Sequence, residues 1–352
     1  MKVMVAMSGG VDSSVAAALL LEGGHQVVGA TLKLWGGDSD SGCCSVADVE
    51  DARRVADQLG IPHHVFNLTD RFEEAVVGPY VTAHAEGRTP NPCIDCNRHL
   101  KFGTLLDRAD RLGFEALATG HHARVLPGPS GRELRRGADR AKDQSYVLSM
   151  LTGAELPRIL LPVGELTKAE VRARAARLGL RTATKPDSQD VCFIHSTGGR
   201  RRFLGDRIPL HPGDLLDART GDHLGTVPAV ELVTVGQRRG LGSPGGGPRR
   251  FAVAVDVPGR RVLVGEEAEA SATRLDLDPP SWVDAPFGPG DRVLAQTSAH
   301  GPASPATLGP GGAAGTLSLD FEAPHRRVAP GQTVALYDPL DPDRLLGGGT
   351  AR

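Results

Sequence analysis

The chain has 352 residues, 40% apolar and 23% charged, with a formal net charge of −2 at pH 7. These are globular proportions at a length that implies two or three domains, and they exclude a disordered chain or one that holds nucleic acid by bulk charge. No apolar run is long enough to span a bilayer, and Met1-Lys2 runs straight into a core-like strand without a signal-peptide pattern, so a cytoplasmic protein is expected.

The first element is an apolar strand at 3–7, followed by Ser8-Gly9-Gly10-Val11-Asp12-Ser13-Ser14 and an apolar helix at 15–21. Two small residues between a strand and a helix aim backbone N–H groups and a helix N-terminus at one point, where an anion would sit. Neither the GxxxxGK[ST] loop nor GxGxxG is present. The hydroxyls, backbone donors and single carboxylate resemble the SGGxDS loop of the N-type ATP pyrophosphatases. A plain strand-to-helix turn, with Ser13 or Ser14 as N-cap, is the competing reading.

Further along, 27–34 and 64–68 read as strands, 46–59 and 105–112 as helices, and 116–120 as a strand whose end points at His121-His122. The βαβα rhythm predicts an α/β fold, a doubly wound parallel sheet with ligands beyond the carboxyl ends of its strands. Past residue 205 glycine and proline become frequent and short β-branched runs recur at 229–235, 251–257, 261–264, 293–296, 315–321 and 332–337. Residues 244–248 read as a flexible loop and 301–315 as irregular. The expected organisation is a nucleotide-binding domain at 1–205, a small β-rich domain at 206–274 and a C-terminal β-barrel at 275–352.

Five cysteines, an odd count, argue for reduced thiols rather than a disulfide framework. Cys93-Ile94-Asp95-Cys96 follows Asn91-Pro92, with Arg88, Arg98 and Lys101 close enough to lower a thiol pKa or to hold phosphate. Half a zinc site, a redox pair and two unremarkable thiols all fit that spacing, although adjacent Cys43-Cys44 make a poor second zinc pair. Cys192, after the polar turn 185–190, reads by itself as a small buried hydrophobe. Arg135, Arg136, Arg140 and Lys142 make a candidate phosphate patch or a solvated face. His121 and His122 border the nucleotide strand but receive no chemical role.

Together the segments resemble the tRNA-specific 2-thiouridylase family. The resemblance rests on the phosphate loop, Arg88-Thr89-Pro90-Asn91-Pro92, Cys96-Asn97, Ala118-Thr119-Gly120-His121, Lys142-Asp143-Gln144-Ser145-Tyr146, Cys192-Phe193-Ile194 and Gly236-Gln237-Arg238-Arg239-Gly240. It implies an adenine nucleotide alpha-hydrolase-like first domain that uses ATP and Mg²⁺, with no protein metal site. Ala6, Met7, Ser8, Gly9, Gly10, Val11, Asp12, Ser13, Leu32 and Gly120 would hold the nucleotide, while Asn91, Pro92, Cys93, Lys142, Asp143 and Gln144 would contact tRNA. Cys192 would carry a persulfide and Cys96 would resolve the product, with a cysteine desulfurase or sulfur-relay protein as donor. The implied reaction is 2-thiolation of the wobble uridine.

Cys93 stands where many family members carry Asp, so an acid/base role for that carboxylate does not transfer. Gln296-Thr297-Ser298-Ala299-His300 replaces an Arg-Tyr pair of relatives. Two alternatives stay open: a [4Fe-4S] thiolase using Cys93, Cys96 and Cys192, and an adenylating amide ligase with the same loop.

Overall fold

The computed structural model describes residues 1–35, 45–129, 131–187, 191, 193–194, 198–241, 249–284 and 286–352. Cys43, Cys44, Cys192, the stretch 188–190 and the expected loop at 244–248 lie outside the described residues.

The first domain is built on a parallel sheet in the order β3-β2-β1-β4-β7, formed by β1 (Lys2–Ala6), β2 (Gln26–Lys33), β3 (His63–Asn67), β4 (Ala116–Ala118) and β7 (Ile159–Leu160). Alternate side chains of β1 serve opposite layers, as the two-residue period of a strand requires. Val3 and Val5 pack under α1 (Val11–Glu22), α2 (Val46–Leu59) and α6 (Lys168–Arg177), whereas Met4 joins Phe72, Tyr80, Leu100 and Leu117 on the other face. Both faces of the central strands are covered, which is why β1 and β4 are nearly continuous in apolar residues, whereas the edge strand β3 is polar and largely exposed. α2 starts at a Ser45–Asp48 capping box and ends at Gly60 in the left-handed conformation, φ 68°.

After α3 (Gly78–Ala85) the chain forms one continuous helical run: α4 (Pro92–Asp95), a wide-turn segment with π-type bonding at Cys96–Leu105, and α5 (Leu106–Arg111). This helix therefore begins well before the expected residue 105, because the polar, proline-led stretch before Leu100 hides its buried Ile94, Asn97 and Leu100. Wide turns of this kind are frequent at functional sites.

The hairpin β5 (Ala123–Gly128) and β6 (Gly131–Arg136), although inside the expected first domain, belongs to the C-terminal sheet. Leu134 pairs with Leu345 and Arg135 with Arg344, giving the order β12-β16-β15-β14-β17-β18-β6-β5, with β13 (Ser281–Trp282) beside β18. Its remaining strands are β12 (Ser271–Leu277), β14 (Arg292–Gln296), β15 (Ala303–Pro310), β16 (Leu317–Arg326), β17 (Thr333–Tyr337) and β18 (Arg344–Thr350). The small middle module, after α7 (Arg200–Gly205), is the sheet β10-β11-β8-β9, made of β8 (Gly213–Asp217), β9 (His223–Val227), β10 (Phe251–Asp256) and β11 (Arg261–Gly265).

Two sequence expectations fail here. Residues 229–235 form no strand but a single tight turn at Val230–Leu232, which buries Val230 and Val233 together at a spacing of three. The stretch 301–315 contains β15, a central strand despite its glycine and proline, because Ala306 and Leu308 fill the barrel core.

Candidate functional site

A cavity of about 460 Å³ opens at the carboxyl ends of β1 and β4, a size typical of small-molecule sites. Its floor is the phosphate loop. Gly10 is the N-cap of α1 and offers no side chain, so the first-turn amides of a twelve-residue helix have no side-chain cap. The competing N-cap reading of Ser13 and Ser14 is corrected, since both lie inside the helix. Ser14 Oγ and Ser13 Oγ donate back to the Gly10 carbonyl at 2.8 and 3.2 Å, and Ser13 Oγ also accepts from Ser8 N–H at 3.2 Å. Gly9 adopts φ 72°, and a Cβ there would lie 2.3 Å from the Asp48 carbonyl oxygen. Gly120 is equally constrained, because its Cβ would lie 2.6 Å from Ser13 N and 2.7 Å from the Asp12 carbonyl carbon.

Asp12 is the electrostatic centre. Lys168 Nζ donates to its two oxygens at 2.8 and 2.7 Å, and His122 Nε2 lies 3.1 Å from Oδ1. Burial works to raise the Asp12 carboxyl, but the His122 and Lys168 hydrogen bonds and the Lys168 charge outweigh it and hold it below the usual range. Lys168 also pairs with Asp187 at 3.0 Å, and Asp187 binds Lys142 at 2.8 Å and Arg172 at 2.6 Å. Burial opposes ionisation of Asp187, yet the Lys142 and Lys168 bonds hold it well below the ordinary carboxylate range. Lys185 bridges Gly9 O, Asp48 and Asp51 behind the loop.

Ala6, Met7, Ser8, Gly10, Val11, Asp12, Ser13, Leu32 and Gly120 all line the cavity, while Gly9 backs the loop against α2. Pro92, Cys93 and Cys96 line the same cavity, as do Lys142, Asp143 and Gln144. Asn91 is turned away: its Oδ1 caps α4 by accepting Cys93 N–H at 3.0 Å, and it lines a separate cavity of about 260 Å³ with Asp95 and Arg98. Burial pushes the Asp95 carboxyl up to about 6, against the opposing Arg98 charge. Asp143 is occupied internally, accepting from Arg136, Gly137 N–H and Ser145, and the Gln144 amide oxygen accepts His122 N–H at 2.9 Å.

The expected arginine patch is largely neutralised. Arg135 pairs with Glu133 and Asp341, Arg140 with Asp343, and Arg136 with Asp143 while its guanidinium lies 3.7 Å from the Tyr337 ring centre. These residues latch the hairpin to the barrel.

The two neighbours of Cys192 are both at the cavity. Val191 N–H donates to Cys93 Sγ at 3.4 Å, with a left-handed φ of 53° that is strained for a β-branched residue. Phe193 is buried against Trp35, Phe72, Tyr80 and Phe203, with ring centres 5.1 to 6.2 Å apart. Sequence reasoning missed Lys168 and His122 as partners of Asp12. The only sequence trace of Lys168 is the Thr167–Glu170 capping box that starts α6. It also missed Ala299 and His300, through which a barrel loop reaches the cavity.

Among the described residues no helix is long and apolar enough to cross a membrane. Residues 1–196 match the tRNA methyl transferase HUP domain, 201–266 the tRNA methyl transferase PRC-barrel domain and 273–351 the aminomethyltransferase beta-barrel domain. The chain is 46% identical to a tRNA-specific 2-thiouridylase MnmA of Roseiflexus sp. (strain RS-1), covering 99% of this chain and 98% of the relative. It is also 46% identical to the protein of that name from Mycolicibacterium gilvum, covering 100% and 99%. A solved 4-thiouridine synthetase–RNA complex with bound ATP aligns at 20% identity and a TM-score of 0.38, over 56% of this chain and 46% of that one. Full-length identity at this level, across all three domains, places the chain in the tRNA-specific 2-thiouridylase family.

Proposed function

We propose that the protein is an ATP-dependent tRNA-uridine 2-sulfurtransferase that thiolates the wobble uridine at C2. The observation that carries this reading is a single cavity shared by the phosphate loop, the Cys96 thiol and the residues on either side of Cys192.

A uridine C2 carbonyl is a weak electrophile with a poor leaving oxygen, so that oxygen is first adenylated and pyrophosphate expelled. The first-turn amides of α1, Ser8 and Ser13 surround the phosphates, Leu32 and Gly120 flank the adenine, and Lys168 supplies the nearest positive charge. Asp12 suits Mg²⁺, being an ionised hard-oxygen donor that faces the cavity beside the phosphate site. Asp12 would hold such an ion where it would neutralise phosphate charge.

The wobble base is unpaired in its loop, so extruding it costs less than flipping from a duplex. A persulfide on Cys192 attacks C2 through its terminal sulfur, AMP leaves, and the uridine stays joined to Cys192 by a disulfide. The Cys96 thiolate attacks Cys192 Sγ, releasing 2-thiouridine and forming a Cys96–Cys192 disulfide. Sulfur arrives from a cysteine desulfurase or relay protein. Lys142 and Gln144, with Pro92 and Cys93, contact the anticodon loop.

The test is incubation with ATP, Mg²⁺, a desulfurase sulfur source and unmodified tRNA, followed by nucleoside mass analysis. 2-Thiouridine with stoichiometric AMP is expected, and AMP formation without thiolated nucleoside would overturn the assignment. The Cys93–Val191 contact also favours a second reading, in which Cys93, Cys96 and Cys192 share a [4Fe-4S] cluster. Full activity from iron-free, aerobically purified enzyme with a persulfide donor excludes it.

A further inference from the structure

Cys93 takes no part in the sulfur relay above beyond lining the cavity, yet it is placed beside the relay thiol. Cys93 and Cys96 are both reduced, half-buried thiols lining the same cavity. They lie three residues apart on one helical turn, and Cys96 has φ −60° and ψ −46°. Helical geometry sets their Cα atoms about 5 Å apart, inside the range a disulfide accepts. Cys93 N–H is held by the Asn91 side chain rather than by a helical carbonyl, so the first turn can tighten without breaking a ladder bond. Cys93 Sγ also touches the backbone of Val191, the residue before Cys192 in the chain.

We propose that Cys93 and Cys96 form an exchanging dithiol in which Cys93 takes over the disulfide left by each turnover. This rests on the sulfur relay of the preceding section. The Cys93 thiolate attacks Cys96 Sγ, the Cys96–Cys192 bond breaks, the Cys93–Cys96 bond forms, and Cys192 leaves as a thiolate that takes up the proton Cys93 gave up. One disulfide replaces another, so no oxidant is consumed. Cys192 is then free for the next persulfide, and an external dithiol reduces the Cys93–Cys96 bond while becoming a disulfide itself. A carboxylate at position 93 could not do this, so Cys93 marks a departure in how this chain is reset.

Two arms test the proposal in the full-length protein. In Cys192→Ser, mild diamide oxidation should make the tryptic peptide 89–98, which contains both thiols, two hydrogens lighter; Cys93→Ser/Cys192→Ser should show no such change. A full-mass peptide in Cys192→Ser overturns the dithiol, and this arm needs no thiolation activity. In the wild type, one turnover without reductant is quenched with N-ethylmaleimide. The expected result is a disulfide within 89–98 and an alkylated Cys192, whereas Cys93→Ser retains the Cys96–Cys192 bond. A burst of 2-thiouridine with Cys93 alkylated and Cys96 joined to Cys192 overturns the exchange and leaves the thiolation reading standing. Absence of any burst counts against the thiolation reading, and the diamide arm alone then decides the dithiol.

Discussion

Replacing Gly120 with Ala probes how tightly β4 presses on the phosphate loop. The added Cβ would lie 2.6 Å from Ser13 N and 2.7 Å from the Asp12 carbonyl carbon, where ordinary contact begins at 3.4 Å. Both neighbours are backbone, so no side chain can swing aside, and the loop must retreat by roughly 0.8 Å to restore contact distance. Overpacking of this kind costs about 1–3 kcal/mol, a loss of only a few degrees in Tm. A displacement near 1 Å at reacting atoms costs about 100-fold in rate. Gly120→Ala should therefore stay folded and lose about 100-fold in kcat/KM for ATP in tRNA-stimulated AMP release. Gly288→Ala, where a Cβ meets nothing within 4 Å, is the control and should match the wild type. Wild-type kcat/KM in a folded Gly120→Ala enzyme would refute the close-approach reasoning.

Lys168→Met leaves Asp12 and Asp187 without their shared cation, so KM for ATP should rise at least about tenfold by initial-rate kinetics; an unchanged KM would remove Lys168 from the phosphate site. Asp95 is raised to about 6 from 3.8, so its stabilising protonated form is fully present below pH 4 and is lost as pH rises through 6. Asp95→Asn, which cannot ionise, should exceed the wild type by up to about 3 kcal/mol above pH 7 and converge with it below pH 4. A Tm difference that stays constant from pH 4 to 8 would contradict this. Arg136→Ala strands the largely buried Asp143 and removes the stack on Tyr337, so chemical denaturation should report a loss of about 3–5 kcal/mol; a loss under about 1 kcal/mol would show that the latch is not structural.

What could be read from the chain was local. The phosphate loop announces itself because strand, small residues, hydroxyls and helix follow one another within about twenty residues, and Cys93-x-x-Cys96 because its spacing is one helical turn. The partners of Asp12 could not be read this way. His122 and Lys168 are 110 and 156 residues distant, and only the crossover order of the sheet brings them to one point. The hairpin β5–β6 buries only Ala123 and Leu134, so its sequence carries no apolar period that would announce a strand or say which sheet it joins. At 230–233, the β-branched pair Val230 and Val233, spaced by three, satisfied a turn as well as a strand. The arginines at 135 and 140 looked free because Asp341 and Asp343 lie some two hundred residues on, whereas the partner of Arg136, Asp143, is only seven residues away.

The most direct measurement follows the covalent path of sulfur in Cys96→Ser. Supplied with ATP, Mg²⁺, a desulfurase and tRNA, this variant lacks the resolving thiol and should stop at a protein–tRNA adduct through Cys192. On a denaturing gel the adduct should require ATP, disappear with a thiol reductant and be absent from Cys192→Ser. Free 2-thiouridine at the wild-type yield from Cys96→Ser, with no adduct, would contradict a cavity in which adenylation and sulfur transfer act on one base between two thiols.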